Sequence, residues 1–178
     1  MRFNKFCLAA ALVVVVMALN HTARADSRVN AYWVHGTIIE PEYPGSLTRT
    51  DRKGWGIIFS GKGNTFNWLH IMVPTPVIEE NTRVSLQKFF VLFNTIGNAK
   101  ITSIHVWDGR RKIWAKDGLN LSGWHLNIDA TNTFPVDPKI TLYTGLDICV
   151  KVEFGLKSGT SDPAIHFSTA GADFYRSW

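Results

Sequence analysis

Residues 64–76 read NTFNWLHIMVPTP, and the order of side chains in this stretch decides the fold. Successive residues of an extended backbone point to opposite faces. Phe66, Trp68, His70 and Met72 therefore share one side, while Leu69, Ile71 and Val73 line the other. A catalytic histidine, a metal ligand, a ligand-stacking face and a plain structural strand all begin with that pattern.

The same texture recurs along the chain. NAYWVHGTII (30–39), GWGIIFS (54–60), VSLQKFFVLFN (84–94), AKITSIHVWD (99–108), KIWAK (112–116), KITLYT (139–144), DICVKVEFGL (147–156) and AIHFSTA (164–170) read as strands. PEYPGS, GKGN, PTPVIEEN, IGN, DGRR, DPK and SGTSDP separate them as glycine, proline and Asx punctuation. Consecutive hairpins are expected over 96–114, the second closed by Asp108-Gly109. No helical stripe runs through any window outside the first residues. The expected architecture is all-β: one two-sheet antiparallel β-sandwich, jelly-roll-like, over residues 26–178.

Residues 1–25 read as a secretory signal peptide. Arg2 and Lys5 precede an apolar run from Cys7 to Leu19, and Ala23-Arg24-Ala25 supplies the small-residue cleavage pattern. The run is shorter than the ~20 residues needed to span a bilayer, and no second one follows. A secreted or periplasmic location is expected, with no transmembrane segment after cleavage. Cleavage removes three of the 19 basic residues and none of the 14 acidic ones, leaving 16 against 14. A mature charge of +2 gives a nucleic-acid partner no electrostatic footing. The cluster Arg110-Arg111-Lys112 reads as a solvated hairpin tip. Of the two cysteines, only Cys149 remains, so no intramolecular disulfide forms. Ile148, Val150 and Val152 take the face opposite Cys149, which reads as a buried, inert thiol.

The Trp/His spacing occurs on three strands: Trp33 with His35, Trp68 with His70, and His105 with Trp107. Three readings stay open. The rings can cap the outside of a sandwich while aliphatic neighbours fill it. They can form an aromatic, hydrogen-bonding face on which indoles stack against a glycan or other small ligand. Or His35, His70 and His105 can converge on a metal, although no His-x-His or His-Glu-x-x-His spacing supports it. No metal, cofactor or catalytic residue is therefore assigned. Ser122 near His125 lacks a nucleophile elbow, adjacent Glu79 and Glu80 cannot face each other as a glycosidase pair does, and Asp129–Asn132 lacks the rest of a calcium loop.

The ordered motifs WVHG, GWG, NWLHIMVPTPV, IHVWDG, LSG and AGADF resemble a family of small bacterial proteins of unknown function. That resemblance implies a single β-rich domain and carries over no activity. The leading expectation is an exported, non-enzymatic, lectin-like binding protein using Trp33, His35, Trp68, His70, His105 and Trp107. The alternatives are an assembly subunit, whose AIHFSTAGADFYRSW terminus docks on a neighbour or a second copy of the chain, and a histidine-metal enzyme.

Overall fold

The computed structural model describes residues 28–157 and 159–176; the signal-type segment 1–25 and Trp178 lie outside them. Fourteen strands form among the described residues: β1 (Arg28–His35), β2 (Glu40–Pro41), β3 (Leu47–Lys53), β4 (Gly56–Gly61), β5 (Thr65–Val73), β6 (Ile78–Glu79), β7 (Thr82–Arg83), β8 (Ser85–Ile96), β9 (Ala99–Asp108), β10 (Arg111–Leu121), β11 (Trp124–His125), β12 (Thr133–Thr141), β13 (Leu146–Phe154) and β14 (Ala164–Arg176). None of the described residues belongs to a helix long and apolar enough to cross a membrane.

The strands build a two-sheet antiparallel sandwich. One sheet runs β10-β9-β13-β5-β2. The other is organised on β8 and β14, which pair along most of their length. The far edge of β14 is shared by β4 and β1, and that of β8 by β11 and β12. The chain changes sheet repeatedly, at β4 to β5, β8 to β9 and β13 to β14, in jelly-roll fashion.

Alternation places the core between the sheets. Leu69, Ile71 and Val73 of β5, Ile148, Val150 and Val152 of β13, and Ile104 and Val106 of β9 point inward against Phe89, Val91 and Phe93 of β8 and Phe167 of β14. Fully burying side chains of this size stabilises by ~1.5–3 kcal/mol each. Polar residues are buried as well, and one of them positions the site. Asn67 is fully buried, accepts from Tyr43 N at 3.1 Å, and donates to Tyr43 O at 2.8 Å and Ser46 Oγ at 2.9 Å. It pins the 43–46 turn to the start of β5, with Glu42 directly beside it.

Several local expectations are corrected. β8 and β9 are not a hairpin: Gly97-Asn98 turns the chain from one sheet into the other. The hairpin β9–β10 does form, but its loop is Gly109-Arg110, with Gly109 at φ 57°, the left-handed conformation that suits glycine there. Asp108 ends β9 and is buried, so it is not part of the solvated tip. Its carboxylate accepts from Tyr143 N, Thr144 N, Thr144 Oγ1, Gly145 N and Arg111 Nη2 at 2.8–3.1 Å, clasping the 143–145 turn. Arg111 is held by this clasp and by Thr141 O rather than free in solvent. PTPVIEEN carries β6 and the turn of the small hairpin β6–β7, at Glu80 and Asn81, both with positive φ. The polar edge strand β3 and the proline-bearing start of β12 lacked the apolar alternation that marks strands in sequence. Phe174 fills this chain's own core, because the AGADF segment continues β14 through the middle of its sheet.

Candidate functional site

β13 lies between β5 and β9 and pairs with both. Directly opposed residues on neighbouring strands project side by side, about 5 Å apart. Across the outward face the rows read Trp107–Asp147–Met72, His105–Cys149–His70 and Ser103–Lys151–Trp68. The order Trp-x-His on β5 is reversed to His-x-Trp on β9. Both strands run antiparallel to β13 and hence parallel to each other. The two imidazoles therefore fall on one level and the two indoles at opposite corners.

These rings surround a depression of about 400 Å³ lined by Glu42, Trp68, His70, His105, Trp107, Asp147 and Cys149. Trp68 and His105 touch, with ring centroids 4.7 Å apart and planes tilted by 41°. His105 is held by Asp117 on β10, Nε2 to Oδ1 at 2.9 Å. Hydrogen bonds from Ser103 and then His105 hold the Asp117 carboxyl below its ordinary pKa. Lys112 lies over the Trp107 ring at 5.7 Å.

His70 sits at the centre of a denser cluster. Its Nδ1 lies 3.0 Å from Asp147 Oδ2 and 3.3 Å from Cys149 Sγ, and its Nε2 lies 3.3 Å from Glu42 Oε2. Cys149 Sγ also reaches Asp147 Oδ2 at 3.3 Å. The other oxygen of Asp147 accepts from Ile71 N at 3.1 Å, which fixes the carboxylate. Glu42 is positioned by the turn that Asn67 pins and by its own N–H donating to Trp68 O at 2.8 Å. It also accepts from the Tyr43 phenol, which raises that group's pKa. Burial pushes the Cys149 thiol far above its ordinary range, and the carboxylates of Asp147 and Glu42 push it further. A nucleophilic cysteine needs the opposite environment.

Trp33 and His35 are not brought to this face. They lie on β1, in the other sheet, where Trp33 stacks on Phe90 at 5.0 Å and covers Gly171. A Cβ at Gly171 would meet the indole at 2.5 Å. His35 Nδ1 contacts Thr37 Oγ1 at 3.0 Å. Glu42 and Asp147 escaped the sequence reading, and Cys149 was read as a buried, inert thiol rather than as part of a site. The signal for the last two was the alternation of Asp147, Cys149 and Lys151 opposite Ile148 and Val150.

The other polar motifs are satisfied internally. His125 Nε2 contacts the backbone oxygen of Ser122, not its hydroxyl. Asp129 is taken up by His125, Thr131 N and Asn132 N. Glu79 accepts from Asn30, and Glu80 pairs with Arg176.

A family model matches residues 28–165, from the first residue of β1 into β14. The chain belongs to DUF6623, a family of unknown function. No curated protein matches this DUF6623 chain. Among solved structures it is similar to TmCBM61 in complex with beta-1,4-galactotriose, at 15% identity and TM-score 0.36, covering 86% of this chain and 89% of that one. It is also similar to the exo-beta-1,3-galactanase of Phanerochaete chrysosporium with galactose, at 12% identity and TM-score 0.34, covering 80% of this chain and 29% of that one.

Proposed function

We propose that this DUF6623 chain is an exported, non-enzymatic binding protein whose outward β9-β13-β5 face takes a glycan or another small hydroxyl-bearing ligand. One observation carries the reading: Trp68, His70, His105 and Trp107 flank β13 on a single solvent-facing depression. Indole faces stack on the C–H faces of sugar rings, while imidazole and carboxylate groups orient hydroxyls. Those polar groups are already fixed, His105 by Asp117 and His70 by Asp147 and Glu42, so little ordering remains to be done on binding. Exposed Met72 and Phe66 extend the apolar margin along β5.

The test is a titration of intrinsic tryptophan fluorescence with a broad panel of neutral oligosaccharides. Ring stacking contributes ~0.5–1.5 kcal/mol beyond buried area, so Trp68→Ala and Trp107→Ala should each weaken binding by at least ~2- to 10-fold. Trp33→Ala should leave it within a factor of ~2. No response anywhere in the panel, or wild-type affinity in both face variants, sinks the proposal.

A further inference from the structure

We infer that His70, Asp147 and Cys149 form a binding site for a divalent late first-row transition-metal ion, zinc first among them, with Glu42 as the outer carboxylate that orients His70. The inference goes beyond the ligand reading and does not depend on it.

The donor atoms are already gathered. His70 Nδ1, Asp147 Oδ2 and Cys149 Sγ make a triangle with edges of 3.0, 3.3 and 3.3 Å. Around an ion bound at ~2.0–2.3 Å in tetrahedral geometry, adjacent donors stand ~3.3–3.7 Å apart. Outward movement of a few tenths of an ångström therefore admits the ion.

The donors also come from rigid elements. Cys149 and Asp147 occupy alternate positions of β13, a strand paired on both sides, and His70 lies directly across from Cys149 on β5. Asp147 is held in place by Ile71 N on its other oxygen.

The surroundings suit a cation. Glu42 and Asp147 place two carboxylates within 3.3 Å of the His70–Cys149 pair, negative charge that a divalent cation would balance. Metal-bound histidines characteristically donate their second ring N–H to a carboxylate, and Glu42 Oε2 waits 3.3 Å from His70 Nε2. With the ion on Nδ1, the Nε2 proton goes to Glu42, and every group in the cluster has a complementary partner. Cys149 gives up its proton to solvent when the bond to sulfur forms.

The donor set also selects the ion. Sulfur and imidazole favour zinc, cobalt and copper over calcium and magnesium, which take oxygen ligands. The three donors line a depression open to solvent, so coordination positions beyond them are accessible to water or to an exogenous oxygen. This set differs from the three-histidine set considered from the sequence, since His35 stands on the other sheet and His105 is taken up by Asp117.

The experiment uses the protein purified without a histidine tag, stripped with chelator, kept reduced by a phosphine and titrated with Co²⁺ and then Zn²⁺. One cobalt per chain is expected, with a thiolate-to-cobalt charge-transfer band in the near ultraviolet that zinc displaces. Cys149→Ser should abolish that band, and Glu42→Gln should weaken zinc binding ~10–100-fold while keeping it. Calcium and magnesium at the same concentration should leave the cobalt spectrum unchanged. A wild-type chain with no charge-transfer band and no stoichiometric zinc overturns the site and leaves a hydrogen-bonded cluster only. So does a folded Cys149→Ser variant that holds zinc as tightly as wild type. Cobalt bound without any oligosaccharide response keeps the metal site and sinks the glycan reading; oligosaccharide binding by a chain that never takes cobalt does the reverse.

Discussion

Replacing Asp108 should remove a pH-dependent part of this protein's stability. Burial alone would raise the Asp108 pKa, but hydrogen bonds from Thr144, Gly145 and Arg111 outweigh it and bring the group from 3.8 down to about 2. The unfolded chain therefore binds the proton more tightly than the folded one. The stabilisation is complete above the unfolded pKa of 3.8 and is lost as pH falls through the folded value of about 2. At ~1.4 kcal/mol per tenfold change in proton affinity, the shift contributes about 2 kcal/mol. The side chain is only 1% exposed, so solvent screening removes little of it. Urea unfolding of wild type and Asp108→Asn should be followed from neutral pH down to about pH 2. The asparagine variant keeps the shape but presents an amide N–H₂ to backbone donors, so near neutrality it should be less stable by ~2–4 kcal/mol. With ~1–3 kcal/mol per molar urea, the midpoint falls by roughly 1–2 M. The gap between the two proteins should shrink by about 2 kcal/mol on acidification, whatever the other carboxylates do to each curve. A gap that stays constant through that window would show that the clasp does not depress the carboxyl, refuting the reasoning.

Asn67→Leu should destabilise by ~2–4 kcal/mol, because it strands the N–H and C=O of Tyr43 beneath the turn; urea unfolding within ~0.5 kcal/mol of wild type would show that the turn does not need the pin. His166 is buried against Trp55, ring centroids 4.5 Å apart, and burial lowers its pKa below 6.5. Its contribution is thus present above pH 6.5 and is lost as pH falls through the lower folded value, so a His166→Gln variant should lose less stability than wild type on going from neutral to mildly acidic pH. Parallel pH profiles for the two proteins would count against that. Phe167→Ala, at a fully buried position of β14, should cost ~3–5 kcal/mol in the same assay.

Most strands were legible because their residues declare a face locally. The β9 segment Ala99–Asp108 appears with the bounds the alternation gave it, and β5, Thr65–Val73, lies within the 64–76 stretch. β3 was missed because LTRTDRK is a polar edge, and the start of β12 because Pro135 and Pro138 resemble loop punctuation. Asp108 looked like a turn residue, since Asp-Gly is turn chemistry; its true role needs donors 35 to 37 positions away. Trp33-x-His35 and Trp68-x-His70 are indistinguishable as sequence. One packs over β14 and the other borders β13.

The sequence alone determined which side chains share a face, because backbone alternation is a property of each extended segment and needs no partner. It thereby grouped indole with imidazole and set aliphatics against them. Only the tertiary structure decided which faces meet. Placing β13 between β5 and β9 is a non-local pairing, and it brings Asp147 and Cys149 to His70 from 77 and 79 residues away. No local periodicity encodes that neighbour, since strand order follows from how the whole apolar surface is buried.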